Sequence, residues 1–95
     1  MAAYVVVQIE IDDAELMARY REAAAPVVAQ YGGRYIVRGG ASQVLEGDWQ
    51  PERLVVLEFA TAEQARRWWD SDEYAAPKAM RQRAGRTQML LIEGV

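Results

Sequence analysis

Apolar residues recur along this chain with two different periods, and the switch between them marks its elements. From Tyr4 to Ile11 a compact run rich in valine and isoleucine, with Gln8 and Glu10 entering only toward its end, reads as a strand. Asp12 and Asp13 stop it. Asp12, with Glu15 three residues on, predicts a helix start, because a carboxylate can cap free backbone N–H groups and acids favour the positive end of the helix dipole. Leu16, Tyr20, Ala23 or Ala24, Val27 and Tyr31 follow at spacings of three to four, the apolar stripe of one helix. Pro26 lies inside that stripe and removes one backbone hydrogen bond, so a kink or break is expected there. Gly32 and Gly33 supply the stop.

Arg34 to Arg38 predicts a second strand, with Gly39 and Gly40 bending the chain or letting another backbone approach. Arg34, Ile36 and Arg38 alternate onto one face of it. Val44 to Trp49 extends this strand or begins a hairpin arm, and Pro51, which cannot donate to a central ladder, closes the loop. Arg53 to Phe59 is the third strand. Thr61-Ala-Glu-Gln64 matches a capping box ahead of Ala65, Trp68 and Trp69, which starts a second helix. Ser71, Asp72 and Glu73 suggest a new cap, with Tyr74 to Arg83 continuing at a changed angle. Gly85 ends it, and Thr87 to Glu93 is the last strand.

The order β-α-β-β-α-β over residues 1–95 fits one α+β domain, a four-stranded antiparallel sheet with its helices on one face. Such a sheet ordinarily has a wet face. Here Val5-Val6-Val7, Leu54-Val55-Val56-Leu57 and Met89-Leu90-Leu91-Ile92 leave neither face polar. Something must cover the second face, and a second copy of the chain is the simplest cover, so a homodimer is expected.

Composition narrows the chemistry. A chain of 95 residues can bury roughly two-thirds of its unfolded surface, enough for one core. It has no cysteine and no histidine, which removes disulfides, thiol nucleophiles and the commonest transition-metal ligand, and leaves acid–base work to Asp, Glu, Tyr, Lys or Arg. A net charge of -3 with a single lysine argues against a general nucleic-acid surface. The opening Met-Ala-Ala-Tyr-Val-Val-Val has no basic leader, and no apolar run approaches membrane-spanning length, so a soluble cytoplasmic protein is expected. There is no phosphate loop, dinucleotide Gly-x-Gly-x-x-Gly, metal-ligand cluster or Gly-x-Ser-x-Gly elbow, and Asp12-Asp13 and the acids from Asp70 to Glu73 are explained by helix capping. No cofactor and no metal are expected.

Two residues stand out as candidate catalytic groups. Glu58 interrupts Leu54-Val-Val-Leu-Glu-Phe59 on the face of Leu54 and Val56, where poor hydration would raise its pKa and fit it for proton transfer; the alternative is a structural pair with an arginine. Arg38, just before Gly39-Gly40, could present its planar fork to a ligand carboxylate, or pair with Glu46, Glu58 or an acid of a second chain. Tyr20, Trp69, Tyr74 and Arg81 on the helices are candidates for substrate binding. Aromatic rings at helical spacing, such as Tyr20, Trp69 and Tyr74, more often fill a core than line a binding site. Trp68 and Trp69 are adjacent and cannot both face inward.

Tyr20, Gly33, Arg38-Gly39-Gly40, Glu46, Glu58-Phe59, Trp69, Ser71, Tyr74 and Arg81, together with the Asp48-Trp49-Gln50-Pro51-Glu52-Arg53 link, resemble the pattern of the domain-of-unknown-function 1330 family over essentially the whole chain. Trp68, which doubles the aromatic, and Pro77 depart from it. The resemblance implies a ferredoxin-like fold paired as a dimeric α+β barrel. Proteins of similar architecture include small-quinone monooxygenases, muconolactone isomerases and haem-degrading oxygenases; the haem branch is disfavoured by the lack of histidine. The resemblance thus implies a small-molecule-binding dimer, with cofactor-independent isomerase or monooxygenase-like chemistry on a small aromatic or enol/lactone acid held between helices and sheet. In it Arg38 would orient an anionic group while Glu58 or a tyrosine moves a proton. The alternative is a non-catalytic dimeric binding or assembly module.

Overall fold

The computed structural model describes residues 1–95, in the order β1 (Ala3–Ile11), α1 (Ala14–Gln30), β2 (Arg34–Arg38), β3 (Arg53–Phe59), α2 (Ala62–Asp70), α3 (Asp72–Ala84) and β4 (Gly85–Glu93). The strands form one antiparallel sheet in the order β2-β3-β1-β4, with β1 pairing β4 along its whole length and β3 from Ala3 to Ile9. This is the ferredoxin-like arrangement expected from the sequence.

Strand alternation divides the sheet. Val5, Val7, Ile9, Val55, Leu57 and Phe59 are buried beneath the helices, where they meet Met17, Ala24 and Val28 of α1, Ala65 and Trp68 of α2, and Tyr74 and Ala84 of α3. The buried line of α1 therefore runs one position later than the predicted stripe, and Leu16, Val27 and Tyr31 flank it half-buried. On the opposite face the register aligns Val37, Val56, Val6 and Leu90 in a row across all four strands, with Tyr4 and Ile92 in the next row. Leu90 is 59% and Ile92 51% exposed. Both faces are apolar, as the strand sequences require.

Local chemistry sets the boundaries. Asp13, rather than Asp12, caps α1 by accepting from the Leu16 N–H at 3.0 Å. The helix runs unbroken through Pro26, because that residue lies on the exposed side, where the carbonyl it leaves unbonded can be hydrated. Thr61 caps α2 through the Gln64 N–H at 3.1 Å, but the Gln64 side chain does not return to it. It donates instead to the Tyr31 carbonyl at 2.7 Å, tying the end of α1 to α2. Ser71 accepts from the Tyr74 N–H at 3.2 Å and starts α3. No strand forms over 44–49: this stretch is exposed loop, and Trp49 Nε1 reaches back to Gln8 Oε1 at 2.8 Å on the open side of the sheet. No helix is long and apolar enough to cross a membrane.

Candidate functional site

Ser71 fixes the phase of α3, so that Tyr74 and Arg81, seven residues apart, share its inner face. Both are buried, Arg81 to 2% exposure. Tyr74 lies against Trp68 with ring centroids 4.3 Å apart, and Trp68 in turn packs on Phe59 at 5.6 Å. Trp68 is thus the inward tryptophan of the pair. Trp69 is half-buried beside it, its outer face covered by Lys78, whose Nζ stands 4.1 Å above the ring and donates to the Trp69 carbonyl at 2.8 Å.

A hydrogen-bond chain links α3 to α1. Arg81 Nε donates to Tyr74 Oη over a long 3.4 Å, Arg81 Nη1 donates to Thr87 Oγ1, and the Tyr74 and Tyr20 hydroxyls are 2.9 Å apart. A guanidinium can only donate, so the Tyr74 oxygen accepts from Arg81. The Tyr74 and Tyr20 hydroxyls share one hydrogen bond, of which either can be the donor, so Arg81, Tyr74 and Tyr20 form one connected chain. Burial, and next the neighbouring Tyr74, hold the Tyr20 phenol well above its ordinary pKa, outweighing the opposite pull of Arg81. Tyr20 therefore keeps its proton at neutral pH.

Two buried donor atoms here lack an acceptor. Arg81 takes part in none of the ion pairs, and its Nη2, like Trp68 Nε1, has no hydrogen-bond partner. Two hollows flank this centre. A narrow neck of about 30 Å³, room for one water, lies between α1 and the sheet and is lined by Met17, Tyr20, Tyr35, Val55 and Leu57, with Arg21, Arg38 and Arg53 at its polar side. An apolar hollow of about 190 Å³ lies beyond, bounded by Val5, Ala65, Trp69 and Leu91. Trp68 and Met89 line both and form the wall between them.

The candidate residues are not gathered at one place. Tyr20 and Arg38 line the neck, Trp69 lines the apolar hollow, and Tyr74 and Arg81 sit behind, coupled to Tyr20. Arg38 reaches the neck because of an irregularity in β2. Tyr35 pairs with Leu57 but Val37 pairs with Val56, so Ile36 is an extra residue, a bulge that turns Arg38 onto the face of Val55. The simple alternation that put Arg34, Ile36 and Arg38 on one face is corrected accordingly. Arg38 then stacks over the Tyr35 ring at 4.1 Å. Glu58 stays on the open face, opposite Tyr4 and Arg34, and accepts from Arg34 Nε at 2.6 Å with its side chain 24% exposed. Its structural alternative, a pair with an arginine, is the arrangement present, and the sheet separates it from Arg38.

Arg21 and Arg53 were not singled out by the sequence. Arg21 falls on the line Met17, Arg21, Ala24, Val28, which the stripe placed one position early leaves out; Arg53 alternates with Val55 and Leu57, a period-two signal that was available. No three His, Cys, Asp or Glu side chains converge to hold a metal ion.

A single antiparallel sheet in this order, with an aromatic cleft beneath helices on one face, defines a ferredoxin-like α+β protein. Within that class the chain belongs to the domain of unknown function family DUF1330, whose model matches residues 2–95. No curated protein sequence matches it. Among solved structures it is similar to a protein of unknown function from Rhodopseudomonas palustris, with a TM-score of 0.79 and 16% identity over 99% of this chain and 82% of that one. It is also similar to a dimeric ferredoxin-like protein of unknown function from Jannaschia sp. CCS1, TM-score 0.68, 14% identity, covering 99% and 100% of the two chains. A third likeness is to SnoaB, a cofactor-independent oxygenase from Streptomyces nogalater, TM-score 0.65, 11% identity, covering 99% and 93%. At such identities the likeness shows the fold alone.

Proposed function

We propose that the protein is a cytoplasmic homodimer that binds a small oxygen-bearing molecule in the helix–sheet cleft of each protomer, and that Tyr20 is the donor to that molecule's reacting oxygen. The observation that carries this reading is the chain from Arg81 through Tyr74 to Tyr20, a buried cation with no counter-charge whose last member lines a hollow. Such a chain stabilises negative charge as it develops on a ligand oxygen, because preorganised donors in a dry site need no rearrangement. An enol, phenol or lactone acid would gain most. This suits isomerase or monooxygenase-like chemistry without a cofactor, a chemistry that the fold is known to host in the cofactor-independent oxygenase SnoaB, by analogy of architecture alone. Arg38 orients the anionic group at the neck. Met89, unbranched and shared by both hollows, is the wall that can yield as the ligand enters.

Glu58 belongs to the other face in this reading. It holds Arg34 at the rim of the apolar row Val37, Val56, Val6 and Leu90, where a second copy docks. The dimeric neighbour of the same fold supports that assembly.

A thermal-shift screen of the purified protein against small aromatic acids, quinols, lactones and enol acids tests the reading. A ligand at 100 times its dissociation constant stabilises by about 2.7 kcal/mol, a shift easily seen in a domain of this size. At least one class should stabilise the wild type, and Tyr20→Phe should weaken that response. A uniformly silent screen, or hits indifferent to Tyr20→Phe, would leave the non-catalytic assembly module as the better account.

A further inference from the structure

We propose that Arg21, Arg38 and Arg53 form a carboxylate clamp at the mouth of the cleft, so that the ligand is a small carboxylic acid whose carboxylate stays at the mouth while its otherwise apolar body carries the reacting oxygen to Tyr20. This rests on the cleft reading and adds the ligand's chemical class. The three guanidinium groups come from α1, the end of β2 and the start of β3, and all three line both the narrow neck and an open depression of about 510 Å³ outside it. None of them takes part in an ion pair, although four other arginines do. Glu22 is the single acid lining the depression, so three positive charges there face one negative charge.

The clamp is built by the backbone. The bulge at Ile36 turns Arg38 inward, where it lies over Tyr35 at 4.1 Å. Gly39 has φ +71°, and a Cβ on that residue would collide with the Arg53 guanidinium, so the Arg53 head occupies space that only glycine leaves. Partial burial, followed by the charges of Arg21 and Arg38, holds the Arg53 guanidinium below its ordinary range. Like charges drawn together without a counter-ion are relieved by a bound anion, and the planar forks of arginine match a carboxylate two bonds at a time. Behind them the neck is lined mostly by apolar side chains and is separated from the apolar hollow by Met89 and Trp68, so once Met89 yields the space suits an acid with an apolar body better than a bare inorganic anion.

Calorimetric titration with benzoate, with the uncharged isostere benzamide and with phenyl phosphate tests the clamp, using the wild type, Arg38→Gln, Arg53→Gln and the control Arg83→Gln, an exposed residue of α3 away from the mouth. Benzoate should bind at least about ten-fold more tightly than benzamide, and each clamp variant should remove about ten-fold of benzoate affinity while leaving benzamide unchanged. Arg83→Gln should change neither. The ligand-free melting temperature of the two clamp variants should hold or rise, because a repulsion is removed. Benzamide binding as tightly as benzoate overturns the clamp and spares the cleft. Phenyl phosphate binding far more tightly than benzoate overturns the carboxylate assignment. Failure of all three probes overturns the clamp together with the cleft, and a steep loss of stability in both variants overturns the clamp by showing the arginines to be structural.

Discussion

Arg81 is buried and takes part in no ion pair, and its hydrogen bonds to Tyr74 and Thr87 are what offset the cost of that burial. Tyr74 accepts from Arg81 and is hydrogen-bonded in turn to Tyr20, which on the proposed reading carries the proton aimed at the ligand. The same burial makes alkali a probe of the chain. Tyr20 has a folded pKa raised above the ordinary phenol value of about 10, so its contribution to stability is fully present below that pH and is lost as pH rises toward the folded value. Tyr35, raised chiefly by its own burial, adds in the same direction. Tyr20→Phe should therefore flatten the alkaline decline of stability, followed as melting temperature against pH. Glu58 was legible in the sequence as either a proton carrier or an arginine partner, and the deciding fact, Arg34 directly across the ladder, needed the register. Arg21 stayed hidden because a stripe read one position early places it off the core line.

Elements legible from periodicity alone are those whose residues repeat a signal several times. β1, β3 and β4 are seven to nine residues of dense aliphatic sequence, and the caps Thr61 and Ser71 mark two helix starts through their own hydroxyls. β2, with five residues, is too short for its bulge to leave a trace, and the bulge decides which way Arg38 points. The stretch 44–49 has strand-like residues yet no partner strand, since Leu54 already bonds to Gly39 at the end of β2. Glycines at the element ends differ in what they permit. A Cβ on Gly33 would lie 2.6 Å from the Phe59 ring and 3.0 Å from Val28, whereas one on Gly40 would meet nothing within 4 Å. Gly33→Ala should cost about 1–3 kcal/mol by overpacking, lowering the melting temperature by roughly 4 °C or more, while Gly40→Ala should leave it nearly unchanged. Equal melting curves for the two would show that α1 does not close on β3 as described.

The whole molecule divides its work between two faces of one sheet. The helix side holds the aromatic cleft and its donors; the open side carries an apolar row bounded by the Arg34–Glu58 pair at one end and by the Trp49–Gln8 contact toward the other. An apolar face of this extent on a free protomer invites association. Val56→Asp, in the middle of the row, should yield a monomer in sedimentation velocity while the wild type sediments as a dimer; a monomeric wild type would end the case for assembly and leave the cleft standing. That independence follows from the sheet itself, whose alternate residues face opposite sides. The cleft stands or falls with Tyr20. Phenolate absorbance of the folded protein near pH 10, compared between the wild type and Tyr20→Phe, tests it most directly. Equal absorbance is expected for the two folded proteins, with a difference of one tyrosine among five only after denaturation. A folded wild type that shows the extra phenolate near pH 10 would mean that Tyr20 is solvated rather than buried, and the protonated donor the account needs would be lost.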